Sequence, residues 1–263
     1  MAFERAAESG QPELRLPPTW MEAALATFHG RLDVAEALTP RILSVGELAE
    51  QPNATVYHAF AEFQLRFEQG RLAEIEDSFR ESAAGLRLVA PSTLAVLHCE
   101  LGRDAEAHAI LQELMTLGPD SFPVDALWLR IITDLAAVTA YLRDQAAAAV
   151  LHGLLAPYPE QFPVAAAITG CVSYYLGLLA TTLERYDEAE QRFAAAEATH
   201  ERVNAPAWVA RTRLEWAAML LGRADGATST DAGRARDLLG RALTTARQLG
   251  LPNVERRIVE LLA

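Results

Sequence analysis

Three apolar stretches in the second half of the chain carry polar and aromatic side chains at helical spacing. Arginine can bind a carboxylate or a phosphate through two parallel N–H groups, and aromatic rings supply contact area to a bound partner. If the three stretches face one surface, these residues form a binding groove. The candidate groove residues are Asp125, Trp128, Arg130 and Asp134 in the first stretch, Ser173 and Tyr174 in the second, and Trp208, Arg211 and Glu215 in the third.

A structural role for the same residues is the competing interpretation. Arg130 and Asp134 are spaced i, i+4, as are Arg211 and Glu215, so each pair could form a solvated ion pair on one helix. The tryptophans and the tyrosine could fill the spaces between neighbouring helices. The sequence leaves both interpretations open.

The chain lacks the local patterns of common catalytic and metal sites. Its histidines form no H-x-x-x-H or H-E-x-x-H, and His98, Cys99 and Glu100 occupy successive helical positions that point in different directions. There is no G-x-S-x-G, and all 23 basic residues are arginine, which excludes a Schiff-base lysine and a lysine-containing phosphate loop. Cys99 and Cys171 are isolated, as expected for reduced thiols. We therefore expect no catalytic residue, metal or cofactor.

The composition is that of an acidic, well-packed chain. Its net charge is −12 and 51% of its residues are hydrophobic. An acidic surface disfavours nucleic-acid backbones and anionic membranes as direct partners. The N-terminal residues show no apolar signal core, and no stretch approaches the roughly 18 apolar residues of a membrane helix. These features predict a cytoplasmic protein.

A short turn recurs along the chain and indicates which elements position the candidate residues. Its copies begin at Gly30, Gly70, Gly102, Leu142 and Glu184, and a sixth, Gly222-Arg223, is separated from its helix by an insert. The residues aligned at the start of the following helices are Ala35, Ile75, Ala107, Ala147, Ala189 and Ala235, at spacings of 40, 32, 40, 42 and 46 residues. Self-similarity at such a period is typical of helical-hairpin arrays.

The predicted fold is all-α, a tetratricopeptide-like helical-hairpin solenoid of about six repeats with a C-terminal capping helix. A single domain is expected over 1–263, with N-terminal repeats over 1–118 and C-terminal repeats over 119–263. The fifth repeat is predicted to open with a long helix from Pro163 to about Leu183. The first helix of each hairpin is expected to line the concave face, and these helices carry the candidate groove residues.

The same stretches carry a family resemblance from about residue 123 to residue 223. It is clearest in Tyr186-Asp187-Glu188-Ala189-Glu190, Ala207-Trp208-Val209-Ala210-Arg211-Thr212 and Met219-Leu220-Leu221-Gly222-Arg223. These segments resemble the C-terminal tetratricopeptide-like region of bacterial signalling proteins that contain AAA-type or STAND ATPase modules, often with a nucleotide cyclase or a LuxR-type DNA-binding domain. This chain has no Walker loop, cyclase domain or helix-turn-helix segment, so we expect either a freestanding or excised repeat region or a descendant with a function of its own. The resemblance implies scaffolding, sensing or partner binding and transfers no catalytic residue.

Three functional hypotheses follow. The first is a non-enzymatic regulatory or scaffolding module in bacterial signalling or transcription control, which binds a peptide, a protein partner or a small effector in its concave groove. The second is a sensor arm whose curvature changes when a ligand binds, and the third is an enzyme built on a helical-repeat scaffold. An enzyme predicts an enclosed pocket with convergent polar groups of perturbed ionisation, whereas a scaffold predicts an open groove with exposed aromatics. The oligomeric state stays open, with a dimer as one possibility.

Overall fold

A computed structural model describes residues 15–118, 121–122, 124–223 and 228–263, and within these residues the fold is all-α. A short 3₁₀ turn lies at Leu72–Glu74, and none of the helices described is long and apolar enough to cross a membrane. The α-helices are α1 (Leu16–Phe28), α2 (Leu32–Leu48), α3 (Ala54–Gln69), α4 (Glu76–Ser82), α5 (Val89–Glu100), α6 (Asp104–Leu117), α7 (Trp128–Leu142), α8 (Gln145–Leu155), α9 (Val172–Thr182), α10 (Tyr186–Arg202), α11 (Pro206–Leu221), α12 (Ser229–Leu249) and α13 (Pro252–Leu262).

The recurring turn reverses the chain by one mechanism at the first five hairpins. Gly30 adopts a left-handed conformation with φ of 72°, and the next N–H, that of Arg31, donates to the carbonyl of Ala26 at 2.8 Å. This is the Schellman closure of a helix C-terminus, in which glycine avoids the Cβ strain of positive φ. The left-handed residues of the other four turns are Gly70, Gly102, Arg143 and Glu184.

The fourth turn differs by one residue from the alignment made on the sequence. Its left-handed residue is Arg143 rather than Leu142, so α8 starts one residue later. The fully buried alanine at the equivalent position is consequently Ala148, whereas Ala147 is 6% exposed. Arginine at positive φ makes this copy of the turn the hardest to recognise.

The predicted helix from Pro163 is wrong over its first nine positions. Residues 163–171 are not helical, and α9 begins only at Val172. Ala166 has φ of 55°, and Val164 forms an antiparallel bridge with Ile168, so the segment folds back on itself. Gly170 lies against Trp208, whose ring atom Cε3 would be 2.5 Å from an added Cβ. The indole of Trp208 therefore packs directly on the backbone of this segment.

Consecutive helices pack as hairpins, and the hairpins pack in sequence order until the two ends of the array meet. Helix α5 packs on α7 and α7 on α9, whereas α1 contacts α11 and α3 contacts α13. His29 Nδ1 lies 2.8 Å from the carbonyl oxygen of Asn204 at this junction. One continuous buried cluster extends from Ala26 to Ile258. The odd-numbered helices thus surround a central space instead of leaving an open trough.

Alanine substitution at two helical glycines should have opposite effects on the free energy of unfolding. A Cβ on Gly177 of α9 would lie 2.7 Å from the ring of Phe193, whereas Gly240 of α12 has nothing within 4 Å. We expect Gly177→Ala to lower the free energy of unfolding by about 1–3 kcal/mol through overpacking. Gly240→Ala should raise it by about 0.5–1 kcal/mol through helix propensity. Urea unfolding followed by circular dichroism measures both changes, and equal effects would contradict the assigned helix packing.

Candidate ligand-binding cavity

The space between the odd-numbered helices is a partly enclosed cavity of about 610 Å³. Arg130, Tyr174 and Trp208 are each the third residue of their helices, α7, α9 and α11, and all three are buried at the deep end. Residues near the C-terminal ends of the same helices line the mouth, among them Tyr141, which is 48% exposed. The cavity therefore has a buried floor and a solvated opening.

The structure brings most of the sequence-predicted residues together around this cavity. Those that line it are Arg130, Asp134, Tyr174, Trp208, Arg211 and Glu215. Asp125, Trp128 and Ser173 lie outside it and have structural contacts. Asp125 accepts the N–H of Leu127 at 2.8 Å, the ring of Trp128 packs edge-on against Tyr158 at 5.6 Å, and Ser173 donates to the carbonyl of Pro159 at 2.9 Å.

Arg130 and Asp134 form the i, i+4 ion pair that their spacing predicts, but the pair is buried. Nε of Arg130 donates to Oδ1 of Asp134 at 2.8 Å, and Thr93 and Ser92 of α5 donate to Oδ2 at 2.7 and 3.3 Å. Burial raises the pKa of Asp134, against the opposing effects of Arg130 and the two hydroxyls. Within the described residues, Nη1 of Arg130 is buried without a hydrogen-bond partner.

Arg211 does not pair with Glu215 on its own helix. Its Nη2 donates to Oε2 of the buried Glu68 on α3 at 2.9 Å, and Gln64 donates to the other carboxylate oxygen at 3.0 Å. The guanidinium carbon lies 4.1 Å from the ring centroid of Phe67. Burial opposes the charge of Arg211, but Glu68 and Glu100 outweigh it and raise the pKa of this arginine. Nε of Arg211 is a second buried nitrogen that has no partner among the described residues.

Glu215 pairs instead with Arg257 of α13, with Nη2 and Oε2 3.2 Å apart. The charge of Glu215 raises the pKa of Arg257 despite the opposing effect of burial. A further contact to α13 is the bond from Asn253 to Glu100 of α5, at 2.9 Å. The Arg211–Glu68 and Asn253–Glu100 contacts thus hold the C-terminal helices against α3 and α5, and sequence spacing indicated neither of them.

Trp208 and Tyr174, the two sequence-predicted aromatic residues that line the cavity, are buried rather than presented on an open surface. Trp208 and Tyr174 are 4% and 8% exposed, and their rings meet edge to face at 5.5 Å. Burial, reinforced by the charge of Glu215, raises the pKa of Tyr174 well above its ordinary value. The convergence of buried polar and aromatic groups is the pattern expected of a small-molecule pocket.

The thiol that lines the cavity is not an activated nucleophile. Cys99 lines the cavity, but burial together with Glu100 and Asp104 raises the pKa of the thiol to about 12, which leaves negligible thiolate at neutral pH. Among the described residues no histidine lines the cavity, and no group of three or more metal-binding side chains occurs. The arrangement can bind and orient a ligand through hydrogen bonds and aromatic contact.

Behind the floor, His200 supports Trp208 and the segment before α9. Its Nε2 accepts the N–H of Cys171 at 2.9 Å, so Nδ1 carries the proton and donates to Thr212 at 3.1 Å. The hydroxyl of Thr212 donates in turn to the carbonyl of Trp208 at 2.8 Å. Burial lowers the pKa of His200 to about 3. The imidazole is neutral and acts as a fixed link between α10, α11 and the cavity floor.

Acidification should destabilise the protein through His200. Because the native pKa of about 3 lies below the ordinary value of 6.5, the unfolded state binds more protons between these values and stability falls as pH decreases. The contribution should reach about 2 kcal/mol at pH 5 relative to pH 7. Denaturant unfolding at both pH values should show this loss in the wild type and in His108→Gln, which alters an exposed histidine. The same pH dependence in His200→Gln would contradict the assignment.

Removal of Glu68 should destabilise the fold, because it leaves the charge of Arg211 buried without a counter-ion. We expect Glu68→Ala to lower the free energy of unfolding by about 3–5 kcal/mol. Glu74→Ala is the matched control, because Glu74 pairs with Arg71 across an exposed surface and should matter far less. Thermal and urea unfolding of the two variants compare the effects. Similar losses in both would show that Glu68 does not compensate a buried charge.

Family models, curated proteins and solved structures were all compared with the chain, and none matches it.

Proposed function

We propose that this chain is a tetratricopeptide-like solenoid that binds a small effector in its central cavity and acts as a regulatory or scaffolding module in bacterial signalling or transcription control. The observation that carries the proposal is the cavity itself, about 610 Å³ in volume, with buried arginines and aromatic rings on its walls. Pockets for small molecules are typically roughly 300–1,000 Å³ and combine apolar walls with a few placed polar groups.

The repeated hairpin geometry supports the solenoid part of this proposal. Five turns share the left-handed residue, and the buried position five residues later holds Ala35, Ile75, Ala107, Ala148 or Ala189. Alanine at four of these five positions lets successive helices approach closely, as stacked repeats require. The resemblance to the repeat region of bacterial signalling proteins adds the regulatory context.

Closure of the array favours a small effector over an extended peptide. A peptide in a concave groove needs an open trough, whereas here α1 contacts α11 and α3 contacts α13 across the opening. The Glu68–Arg211 ion pair spans this junction in the interior. A compact ligand can enter through the mouth with the junction intact.

The alternative is an enzyme that uses the same cavity. Partial enclosure, converging polar side chains and the raised pKa values of Asp134 and Tyr174 favour it. Against it, the carboxylate of Asp134 is already held by Arg130 and two hydroxyls, so it is poorly placed to move a proton. A paired network of this kind perturbs ionisation without serving catalysis.

The cavity can be tested with an uncharged fluorescent probe, N-phenyl-1-naphthylamine, whose emission rises in apolar sites. Ala137 lines the cavity on α7, and we expect Ala137→Phe to weaken probe binding by roughly tenfold by occupying the space. Ala149→Phe, on the exposed side of α8, is the control and should bind like the wild type. Equal affinities in the two variants would contradict the cavity as the binding site. A bound effector can also be analysed by mass spectrometry before and after incubation with the protein. An unchanged mass indicates a binding protein, whereas a changed mass indicates an enzyme.

A further inference from the structure

Three of the four arginines that line the cavity are each paired with a carboxylate, and the fourth, Arg143, is exposed at the mouth, where Glu184 also lines the cavity. The pairs are Arg130 with Asp134, Arg211 with Glu68 and Arg257 with Glu215. The charge of each of these guanidinium groups is therefore offset by the protein itself. At the buried end of the cavity an anionic ligand would therefore find no uncompensated positive charge and would lose its hydration.

Hydrogen bonding, in contrast to charge, is incomplete in the cavity. Nε of Arg211 and Nη1 of Arg130 are both buried without a partner among the described residues. Arg213, two residues further along α11 and outside the cavity, donates Nε to Glu197 at 2.6 Å and Nη2 to Glu201 at 2.7 Å. Buried N–H groups are normally paired. We therefore expect a ligand to supply the acceptor that Nε of Arg211 and Nη1 of Arg130 lack among the described residues.

Two aromatic rings lie next to the guanidinium group of Arg211. The guanidinium carbon lies 4.1 Å from the ring centroid of Phe67 and 5.8 Å from that of Trp208, and Trp208 meets Tyr174 edge to face. A flat, largely apolar body would gain stacking and edge contacts here. The N–H of Arg211 would then reach an oxygen attached to that body.

Building on the proposed function, we propose that the cavity selects an uncharged, largely aromatic ligand whose carbonyl-type oxygen accepts the N–H of Arg211. The cavity thereby discriminates against the carboxylate form of the same compound. An uncharged acceptor satisfies the hydrogen bond and preserves the charge balance, whereas a carboxylate satisfies the bond and disturbs the balance.

A matched pair of probes tests this selectivity on the full chain at neutral pH. 1-Naphthaleneacetamide and 1-naphthaleneacetate share one ring system and differ only in the charge of the acceptor group. By isothermal titration calorimetry we expect the amide to bind roughly tenfold more tightly or better to the wild type. Tighter or equal binding of the carboxylate would overturn the inference and leave the proposed cavity function intact. Failure of both probes to bind would count against the cavity function and the inference together.

Removal of the compensating charge should reduce the preference for the amide. Glu68→Gln leaves the charge of Arg211 without its counter-ion, so the ratio of amide to carboxylate affinity should fall by roughly tenfold. Asp134→Asn makes the equivalent change at Arg130 and serves if Glu68→Gln does not fold. Glu197→Gln removes a carboxylate from Arg213 outside the cavity and should leave the ratio unchanged. An unaltered ratio in both Glu68→Gln and Asp134→Asn would show that charge balance does not govern selection.

Discussion

The ion pair between Arg211 and Glu68 joins helices 143 residues apart in sequence, and the central cavity depends on that junction. Hairpins stacked only on their neighbours would leave the odd-numbered helices facing an open trough. Here α11 and α13 reach α1 and α3, and the trough becomes a chamber with a buried floor. The bond from Asn253 to Glu100 and the contact of His29 with Asn204 lie along the same junction.

We infer that this ion pair determines how α3 and α11 are positioned against each other more than it raises the free energy of unfolding. Two charges lose their hydration on burial, and the attraction between them roughly offsets that loss. The surroundings reduce the penalty, because Gln64 donates to Glu68 and the ring of Phe67 lies under the guanidinium of Arg211. The continuous apolar cluster supplies most of the stabilisation through buried area. The paired charges then favour one register of α3 against α11 over its alternatives, since any slip would leave a buried charge uncompensated.

Local patterns predicted the helical hairpins well, because the information that specifies them is local. A glycine five residues before a small apolar residue determines both the turn and the buried position, as at Gly30 and Ala35. Closure of the array was not predictable in this way, since it depends on small rotations accumulated over every hairpin. The prediction of a helix in the segment before α9 was wrong for a related reason. The conformation of this segment depends on contacts with Trp208 and His200, which come later in the chain. A polar pair on α3, Gln64 and Glu68 within an apolar helix, was the available signal that another helix would supply a partner.

Helices α7 and α11 each carry an arginine and a carboxylate at i, i+4 spacing, but the two pairs of residues form different ion pairs because their helices face different neighbours. Arg130 and Asp134 bond to each other because α7 faces helices that supply only hydroxyls to this pair. Arg211 and Glu215 separate because α11 lies between α3 and α13, each of which offers an opposite charge. Arg211 is therefore both a wall of the cavity and a link between the ends of the array. The proposed ligand would contact Phe67 of α3 and Arg211 of α11 at once, which only the closed array allows, and such a differential affinity would shift the equilibrium towards the closed form. In the function proposed above, a shift of this kind would change the curvature of the helical array when the effector binds.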